Sequence, residues 1–260
     1  MRRAAYTTEP FQTMRDGLRI VGTKYIPAEP NGIPIIVSHG FLGRRKEMAP
    51  YAKALASWGC TAYTFDFAGG GLRTESDGRL QDMSLMTERE DLFSVMDLVR
   101  QDREVDHGKL ALMGHSQGGF VSALAAIARP QEVNELILLS PALCIPDDAR
   151  SGQMMFFQFD PANVPDTVSA FRGKLTIGRR LIEEAQAMDA MEVIRAYRGP
   201  VLLVHGTADR IVDVAYTQRA KEAYGDNARL LLIDGADHCF RRAENRIFEA
   251  ALRQFLLGDS

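Results

Sequence analysis

Short apolar runs alternate with longer segments of helical period from residue 33 onward, and this alternation constrains the fold more than any other feature of the sequence. A short run that is apolar throughout suits a strand buried on both faces, as in a parallel sheet covered by helices on each side. Six such runs occur, at 35–37, 62–65, 110–113, 136–139, 201–204 and 230–233. Strands that alternate with helices predict right-handed crossovers and an α/β fold.

Local signals add detail to this fold. The dipeptide Asp16-Gly17 separates two short alternating segments and suits the tight turn of an antiparallel hairpin at the N-terminus. Apolar residues of the segment 48–56 share one helical face, and Thr87-x-x-Glu90 has the pattern of a capping box before the next helix. The sequence therefore predicts a mostly parallel sheet flanked by helices, with an N-terminal antiparallel hairpin.

One connection is too long for a simple crossover. About sixty residues separate the strand that ends near Ser140 from the strand that starts near Pro200. Connections in α/β units are usually short, so a long one with helical and extended signals of its own indicates an insertion. We expect residues 1–145 and 198–260 to form the core and residues 146–197 to form an inserted subdomain.

Composition excludes several classes of function. The 260 residues carry 31 lysines and arginines against 34 acidic residues, and no long run of one sign occurs, so we expect neither nucleic acid nor an anionic membrane as a partner. Three widely spaced cysteines suggest neither a disulfide framework nor a paired zinc site, and no metal or cofactor is expected. The N-terminus lacks the apolar stretch of a signal peptide, and no membrane-spanning run occurs, so a cytoplasmic location is expected.

The sequence GHSQG at 114–118 carries the main chemical signal. It follows an apolar run and opens a helical segment, which is the context in which G-x-S-x-G forms a sharp strand-to-helix turn that exposes its serine. Side chains at positions 114 and 118 would collide with neighbouring elements. The alternative is an ordinary capping serine in a glycine-rich turn, but the flanking strand and helix favour Ser116 as a nucleophile.

A serine nucleophile needs a base, and the candidates are the five histidines. His107 lies beside Gly108 at a helix end, where water is its expected neighbour, and His115 adjoins the nucleophile but is expected to point elsewhere. His39 and His205 each precede a glycine at a strand end, where structural hydrogen bonding is expected. The remaining candidate is His238, which lies in the loop after the last apolar run.

The base needs an acid that fixes its orientation, and Asp209 follows the preceding strand. Nucleophile 116, acid 209 and base 238 have the chain order of α/β-hydrolases. Asp237 and Asp234 are competing acids. Asp237 is the immediate neighbour of the base and would have to fold back on it, so Asp209 is preferred.

Acyl transfer also needs two donors that stabilise an oxyanion. The sequence HGFLG at 39–43 follows the first parallel strand, and the backbone N–H of Phe41 could pair with that of Gln117. A plain strand-to-helix turn is the alternative interpretation.

Five blocks in order carry a family resemblance: SHGFLG (38–43), FDFAGGG (65–71), GHSQGG (114–119), HGTAD (205–209) and GADHCF (235–240). The chain resembles the α/β-hydrolase superfamily, most closely the bacterial cinnamoyl or feruloyl esterases. The resemblance implies the α/β-hydrolase fold, cofactor-free ester hydrolysis through an acyl-enzyme, and an insertion that forms a lid over the acyl pocket. It also implies that Asp148 binds the phenolic hydroxyl of a hydroxycinnamate. The chain departs from the family at Ala68 and Gly70.

Several alternatives stay open. The apolar residues Met154, Met155, Phe156, Phe157 and Phe159 form either the insertion's own core or a flexible wall around an acyl group, in which Met155 would bind substrate. The expected partner is a small-molecule ester, and a homodimer is the further assembly considered. An amidase or peptidase, a thioesterase or a non-catalytic ligand-binding homologue could use the same scaffold, because a fold does not determine the leaving group.

Overall fold

A computed structural model of the chain describes residues 6–240 and 245–258, with an eight-stranded sheet at its centre. The sheet has the order β1-β2-β4-β3-β5-β6-β11-β12. Its strands are β1 (Tyr6–Arg15), β2 (Leu18–Pro27), β3 (Pro34–Ser38), β4 (Thr61–Phe65), β5 (Ala111–His115), β6 (Glu135–Leu139), β11 (Val201–Gly206) and β12 (Ala228–Ile233). All pairs from β4 to β12 are parallel, whereas β1–β2 and β2–β4 are antiparallel. The predicted sheet and hairpin are confirmed.

Helices cover both faces of this sheet because its central strands are apolar on both sides. The apolar faces of α1 (Arg45–Ser57) and α8 (Asn245–Leu257) pack into one core cluster. The opposite cluster contains side chains of α2 (Leu85–Val99), α3 (Gln117–Ala128) and α7 (Val214–Tyr224). Within the described ranges no helix is both long and apolar enough to cross a bilayer.

Two local predictions can be compared with the structure. Asp16 and Gly17 have φ angles of 49° and 80°, as a tight two-residue hairpin turn requires. The capping box, however, lies three residues earlier than predicted. Ser84 caps α2 and accepts a hydrogen bond from the Thr87 amide, while the Thr87 hydroxyl accepts one from the Ser84 amide. Threonine can therefore serve as the third helical residue of such a box, which the Thr87-x-x-Glu90 prediction overlooked.

The long connection between β6 and β11 contains structure of its own. Three helices, α4 (Ile145–Ser151), α5 (Arg179–Gln186) and α6 (Ala190–Ile194), accompany two small antiparallel hairpins, β7–β8 (Gln153–Met154 with Phe157–Gln158) and β9–β10 (Thr167–Ala170 with Leu175–Gly178). Their apolar side chains join the cluster that α2 and α3 form on the same face of the sheet. The division into a core and an inserted lid at 146–197 stays a prediction.

The start of α3 packs very closely on the strands beside it. A Cβ atom at Gly114 would lie 2.2 Å from the carbonyl oxygen of Gly118, and one at Gly118 would lie 2.2 Å from the carbonyl oxygen of His39. These obstacles are backbone atoms, so they cannot move aside cheaply. Glycine at both positions lets α3 begin directly above the ends of β3 and β5.

We expect Gly118→Ala to lower the free energy of unfolding by about 1–3 kcal/mol, because the added methyl group overlaps the His39 carbonyl. Chemical denaturation at fixed pH measures the change. Gly108→Ala is the matched control, since its Cβ would meet only the Asp106 carboxylate, at 3.2 Å. Equal stability of the two variants would show that the strand-to-helix turn between β5 and α3, which we call the elbow, is not tightly packed.

Candidate active site

Ser116 occupies the sharp turn between β5 and α3. Its backbone has φ 56° and ψ −123°, a conformation that non-glycine residues rarely adopt and that is associated with functional sites. Hydrogen bonds hold this strained turn in place. The Ser116 amide donates to the Leu139 carbonyl at 2.9 Å, and the Ser116 carbonyl accepts from the amides of Gly119 and Ala142, both at 3.0 Å. The serine is thus fixed above the ends of β5 and β6.

Asp209 and His238 form a hydrogen-bonded pair in the loops after β11 and β12. The Nδ1 of His238 lies 2.7 Å from Oδ2 of Asp209, whose carboxylate is shielded from solvent. His205 Nε2 lies 3.1 Å from the same oxygen, and the Ile211 amide donates to Oδ1 at 2.8 Å. Burial alone would raise the pKa of Asp209, but hydrogen bonds from His205 and His238 hold that pKa well below its ordinary value. The carboxylate therefore stays charged and can stabilise an imidazolium.

The competing acids have other hydrogen bonds. Asp234 accepts one from the Thr207 hydroxyl at 3.0 Å, and Asp237 accepts one from the Cys239 amide at 3.1 Å. The geometry therefore favours Asp209 as the partner of His238, as the sequence suggested.

Ser116 and His238 line the same cavity. Among the hydrogen bonds of the described residues, none joins the Ser116 hydroxyl directly to the His238 ring. Hydrogen bonds of this kind are often long before substrate binds and tighten in the reactive complex. Since Nδ1 of His238 is engaged by Asp209, Nε2 is the ring nitrogen left to accept a proton from a hydroxyl.

Two backbone amides lie beside the serine. The loop that carries Phe41 runs against the elbow, because a Cβ atom at Gly40 would lie only 2.9 Å from Cβ of Ser116. Phe41, Ser116 and Gln117 line a common cavity. Within the part of the chain that the structure describes, neither the Phe41 nor the Gln117 amide donates a hydrogen bond. Two free donors next to a hydroxyl are what an oxyanion requires.

His39 fixes the loop that carries Phe41. It is buried, its Nδ1 lies 2.8 Å from the Gly40 carbonyl, and its Nε2 accepts a hydrogen bond from the Phe67 amide at 3.1 Å. Burial lowers its pKa, so the ring stays neutral and both bonds can persist. Structural hydrogen bonding was the role expected for this histidine and for His205, which in addition contacts Asp209.

His115 does not point away from the site, so that expectation is wrong. Its Nε2 lies 2.8 Å from the carbonyl oxygen of His238, and the two ring centroids are 4.7 Å apart. Burial and the neighbouring His238 lower the pKa of His115 to about 4. A neutral His115 can donate to the carbonyl without placing a charge beside His238. Its position next to Ser116 was the available signal, because His115 ends β5 and Ser116 follows directly at the same edge of the sheet.

Glu88 is a buried residue that the sequence did not reveal. It lies in α2 with almost no solvent exposure, and its Oε2 accepts a hydrogen bond from the Gln117 side chain at 2.9 Å. Burial raises the pKa of Glu88 to about 8, although the bond from Gln117 acts in the opposite direction. At neutral pH the carboxyl is therefore mainly protonated. The Glu88 carboxyl thus holds the side chain of Gln117, whose backbone amide lies beside Ser116.

Two cavities meet at Ser116, with volumes of about 50 and 620 Å³. The narrow one is lined mainly by apolar side chains, and Asp148 is the one carboxylate among its described lining residues. Burial raises the pKa of Asp148. The wide cavity is more polar and includes Glu47, Arg210 and Asp237. Phe41, Ser116, Met155 and Ile211 border both cavities.

The apolar residues at 154–159 are divided between the two expected roles. Met154 and Phe157 are buried in the core cluster and also line the narrow cavity. Met155 lines it too but is partly exposed, while Phe156 lies at the surface. Asp148 and Met155, the two predicted substrate-binding residues, are distant from Ser116 in the sequence. The fold brings both to the cavity that Ser116 lines. Within residues 6–240 and 245–258 no group of three or more His, Cys, Asp or Glu side chains is arranged to hold a metal ion.

Comparison with known protein families identifies the family of this chain. Residues 29–168, more than half of the chain, match the family model described as Hydrolase_4, serine aminopeptidase S33. The chain belongs to this family of α/β-hydrolases. Among curated relatives, a monoacylglycerol lipase of Mycolicibacterium smegmatis is 25% identical over 76% of this chain and 78% of its own length. A putative carbamate hydrolase, RutD of Rhizobium rhizogenes, is 27% identical over 89% of this chain and 95% of its own.

Solved structures give a closer likeness. Est1E from Butyrivibrio proteoclasticus with bound ferulic acid superimposes with a TM-score of 0.86 at 28% identity, covering 95% of this chain and 98% of that one. Thus the resemblance to feruloyl esterases that the motifs indicated is confirmed at the level of structure. The chain is a hydrolase of the α/β-hydrolase type.

We expect His115→Phe to lower kcat on a short p-nitrophenyl ester about tenfold with little change in KM, because the ring remains but the bond to the His238 carbonyl is lost. His115→Gln retains an N–H donor and should recover part of the loss. Steady-state kinetics and the melting temperature of each variant separate misplacement of His238 from unfolding. A wild-type kcat in the Phe variant would contradict this role.

Glu88 should make stability depend on pH. Its pKa is raised from 4.5 to about 8, so over this range the folded chain holds a proton that the unfolded chain has released. The free energy of unfolding should therefore fall as pH rises through this window. Glu88→Gln removes the effect and should be more stable than the wild type at about pH 8, by a few kcal/mol, with a smaller difference near pH 5.

Denaturation at several pH values measures this dependence. Glu90→Gln is the control, because it removes a partly exposed carboxylate from the same helix. If Glu88→Gln and Glu90→Gln change the pH profile alike, burial of Glu88 is not the cause.

Proposed function

We propose that the protein is a serine carboxylesterase that acts through an acyl-enzyme. The observation that carries the proposal is the hydrogen-bonded pair Asp209–His238, which opens onto the cavity that also holds the strained Ser116. Relatives of the esterase and lipase type support the reaction class.

Each side chain has a role in this mechanism. His238 takes the proton of Ser116 through Nε2, and the serine oxygen attacks the ester carbonyl. Asp209 stabilises the imidazolium that forms, while the amides of Phe41 and Gln117 donate to the oxyanion. The imidazolium then protonates the departing alcohol, and water repeats the steps on the acyl-enzyme. No cofactor is needed.

The cavities suggest how the ester lies in the site. The lining of the narrow cavity suits an apolar acyl group, whereas the polar side chains of the wide cavity suit a polar alcohol. For the acyl group we propose a hydroxycinnamate, or another aryl or short acyl chain, because Est1E was solved with ferulic acid. Asp148 is the group in the narrow cavity that could accept a hydrogen bond from a phenolic hydroxyl, and Met155 would pack on the acyl chain.

The insertion at 146–197 is proposed as the lid of this acyl site. Five of its side chains border the narrow cavity besides Asp148: Met154, Met155, Phe157, Ile177 and Leu181. Changes in this segment are therefore expected to alter which acyl group is accepted more than they alter Ser116 itself.

A second candidate keeps the same catalytic residues but uses a different leaving group. The family description names a serine aminopeptidase, and RutD is described as a putative carbamate hydrolase, so an amide or carbamate substrate is the main alternative. Thioester hydrolysis and ligand binding without turnover are further alternatives. Matched ester, amide and thioester substrates with one acyl group distinguish them.

Ser116→Ala should reduce kcat on a short p-nitrophenyl ester by at least about 10⁴-fold, because the nucleophile is removed. A fluorophosphonate should label the wild type at Ser116 and fail to label the variant, as intact-mass spectrometry would show. Ser122→Ala is the control, since its buried hydroxyl bonds to the Gly118 carbonyl in α3 and faces no substrate. Retained turnover in Ser116→Ala would reject the mechanism.

The acyl specificity is tested in the same assay. Wild type should prefer methyl hydroxycinnamates to methyl cinnamate, which lacks the phenol, and Asp148→Asn should reduce that preference about tenfold. Equal rates on both esters in the wild type would leave the esterase in place but reject the role of Asp148.

A further inference from the structure

Exposed apolar side chains gather at the mouth of the two cavities. Among the described residues, four large hydrophobic side chains there are about half exposed: Met155 (44%), Phe156 (50%), Phe171 (55%) and Ile211 (54%). We call these four residues the rim. Soluble monomeric proteins rarely collect such groups without a binding function, whereas scattered single residues need no explanation.

The rim is continuous. Met155 and Ile211 border both cavities, and Phe156 follows Met155 in the turn of the β7–β8 hairpin. Phe171 starts the turn of the β9–β10 hairpin, and its ring centroid lies 5.0 Å from that of Phe156. Two hairpin turns from the insertion thus present an aromatic pair beside the entrance to Ser116.

Cations border the rim. Arg172 and Lys174 follow Phe171 in the same turn, Arg210 precedes Ile211, and all three are exposed. No ion pair within the described part of the chain involves any of them, whereas the nearby Arg179 is paired with Asp166 at 2.8 Å. The two carboxylates of the wide cavity lie on other elements: Glu47, in the first turn of α1, is 3.9 Å from Arg44, and Asp237, in the loop after β12, accepts a hydrogen bond from the Cys239 amide.

We propose that the rim and its three cations bind the surface of an anionic lipid bilayer. Exposed aromatic side chains partition into the headgroup region, and adjacent lysines and arginines are attracted to anionic headgroups. The protein would then present the narrow apolar cavity to the interface where amphiphilic esters reside. This proposal differs from the expectation drawn from net charge, because a chain of formal charge −3 can still carry a local cationic surface.

A second copy of the chain fits this surface less well. In a symmetric dimer the same patch faces itself, so each phenylalanine pair would bring its flanking cations against those of the partner. Like charges brought together in this way oppose association, whereas an anionic surface complements them.

Binding is tested by sedimentation with sucrose-loaded vesicles of phosphatidylcholine alone or mixed equally with phosphatidylglycerol. We expect binding to the mixed vesicles, weaker binding to phosphatidylcholine, and a decrease with added salt. The double variant Phe156→Ser, Phe171→Ser should weaken binding about tenfold or more. The double variant Arg172→Glu, Lys174→Glu should weaken it at least about fivefold for each positive charge lost. The melting temperature and the far-ultraviolet circular dichroism of each variant confirm that it is folded.

Two controls make the result specific. Met14→Ser with Lys53→Glu removes an exposed methionine and an exposed lysine away from the cavities, and should bind as the wild type does. Ser116→Ala should also bind the vesicles as the wild type does, because the serine takes no part in membrane binding. Loss of esterase activity and loss of membrane binding can therefore be told apart, and failure of one proposal leaves the other in place. Absence of binding to mixed vesicles at low salt, or a concentration-dependent dimer that the Phe variants abolish, would overturn the proposal.

Discussion

The close approach of three backbone segments at the ends of β3 and β5 is the constraint on which the site depends. Glycine at 40, 114 and 118 lets the loop after β3, the elbow and the first turn of α3 come together where any Cβ would collide. This contact places two free amides beside Ser116 and holds its backbone in a strained conformation. Without it the serine would be an ordinary hydroxyl at a helix start, and the activation by Asp209 and His238 that we propose would have no target.

Histidines serve different purposes around this contact, and their surroundings determine which. His39 is buried and His115 is half-buried, each beside a backbone carbonyl, and removal from solvent lowers the pKa of both, so they act as neutral hydrogen-bonding groups. His238 instead lies against a carboxylate whose pKa is held low. On the proposed mechanism, the positive charge that develops during proton transfer stays on the His238 ring, because the His115 ring beside it remains neutral.

Much of this could be predicted from the sequence, because the signals were local. Apolar runs defined every parallel strand, Asp16-Gly17 defined the hairpin, and motif spacing brought Ser116, Asp209 and His238 to one edge of the sheet. What could not be predicted depends on distant packing. The position of Glu88 under Gln117, the contact of His115 with His238 and the aromatic pair Phe156–Phe171 each join side chains from different elements, and periodicity carries no information about such pairs.

The unequal cavities have a consequence for the order of events in turnover. On the proposed mechanism the alcohol leaves first, through the wide cavity, while the acyl group remains bound to Ser116 in the narrow cavity. Water can then enter along the path that the alcohol has vacated, so the acyl chain never has to move for hydrolysis to proceed. A close fit of the acyl chain would therefore slow the dissociation of the acid product. For the acyl chains that fit best, release of the free acid, rather than bond cleavage, would be the rate-limiting step.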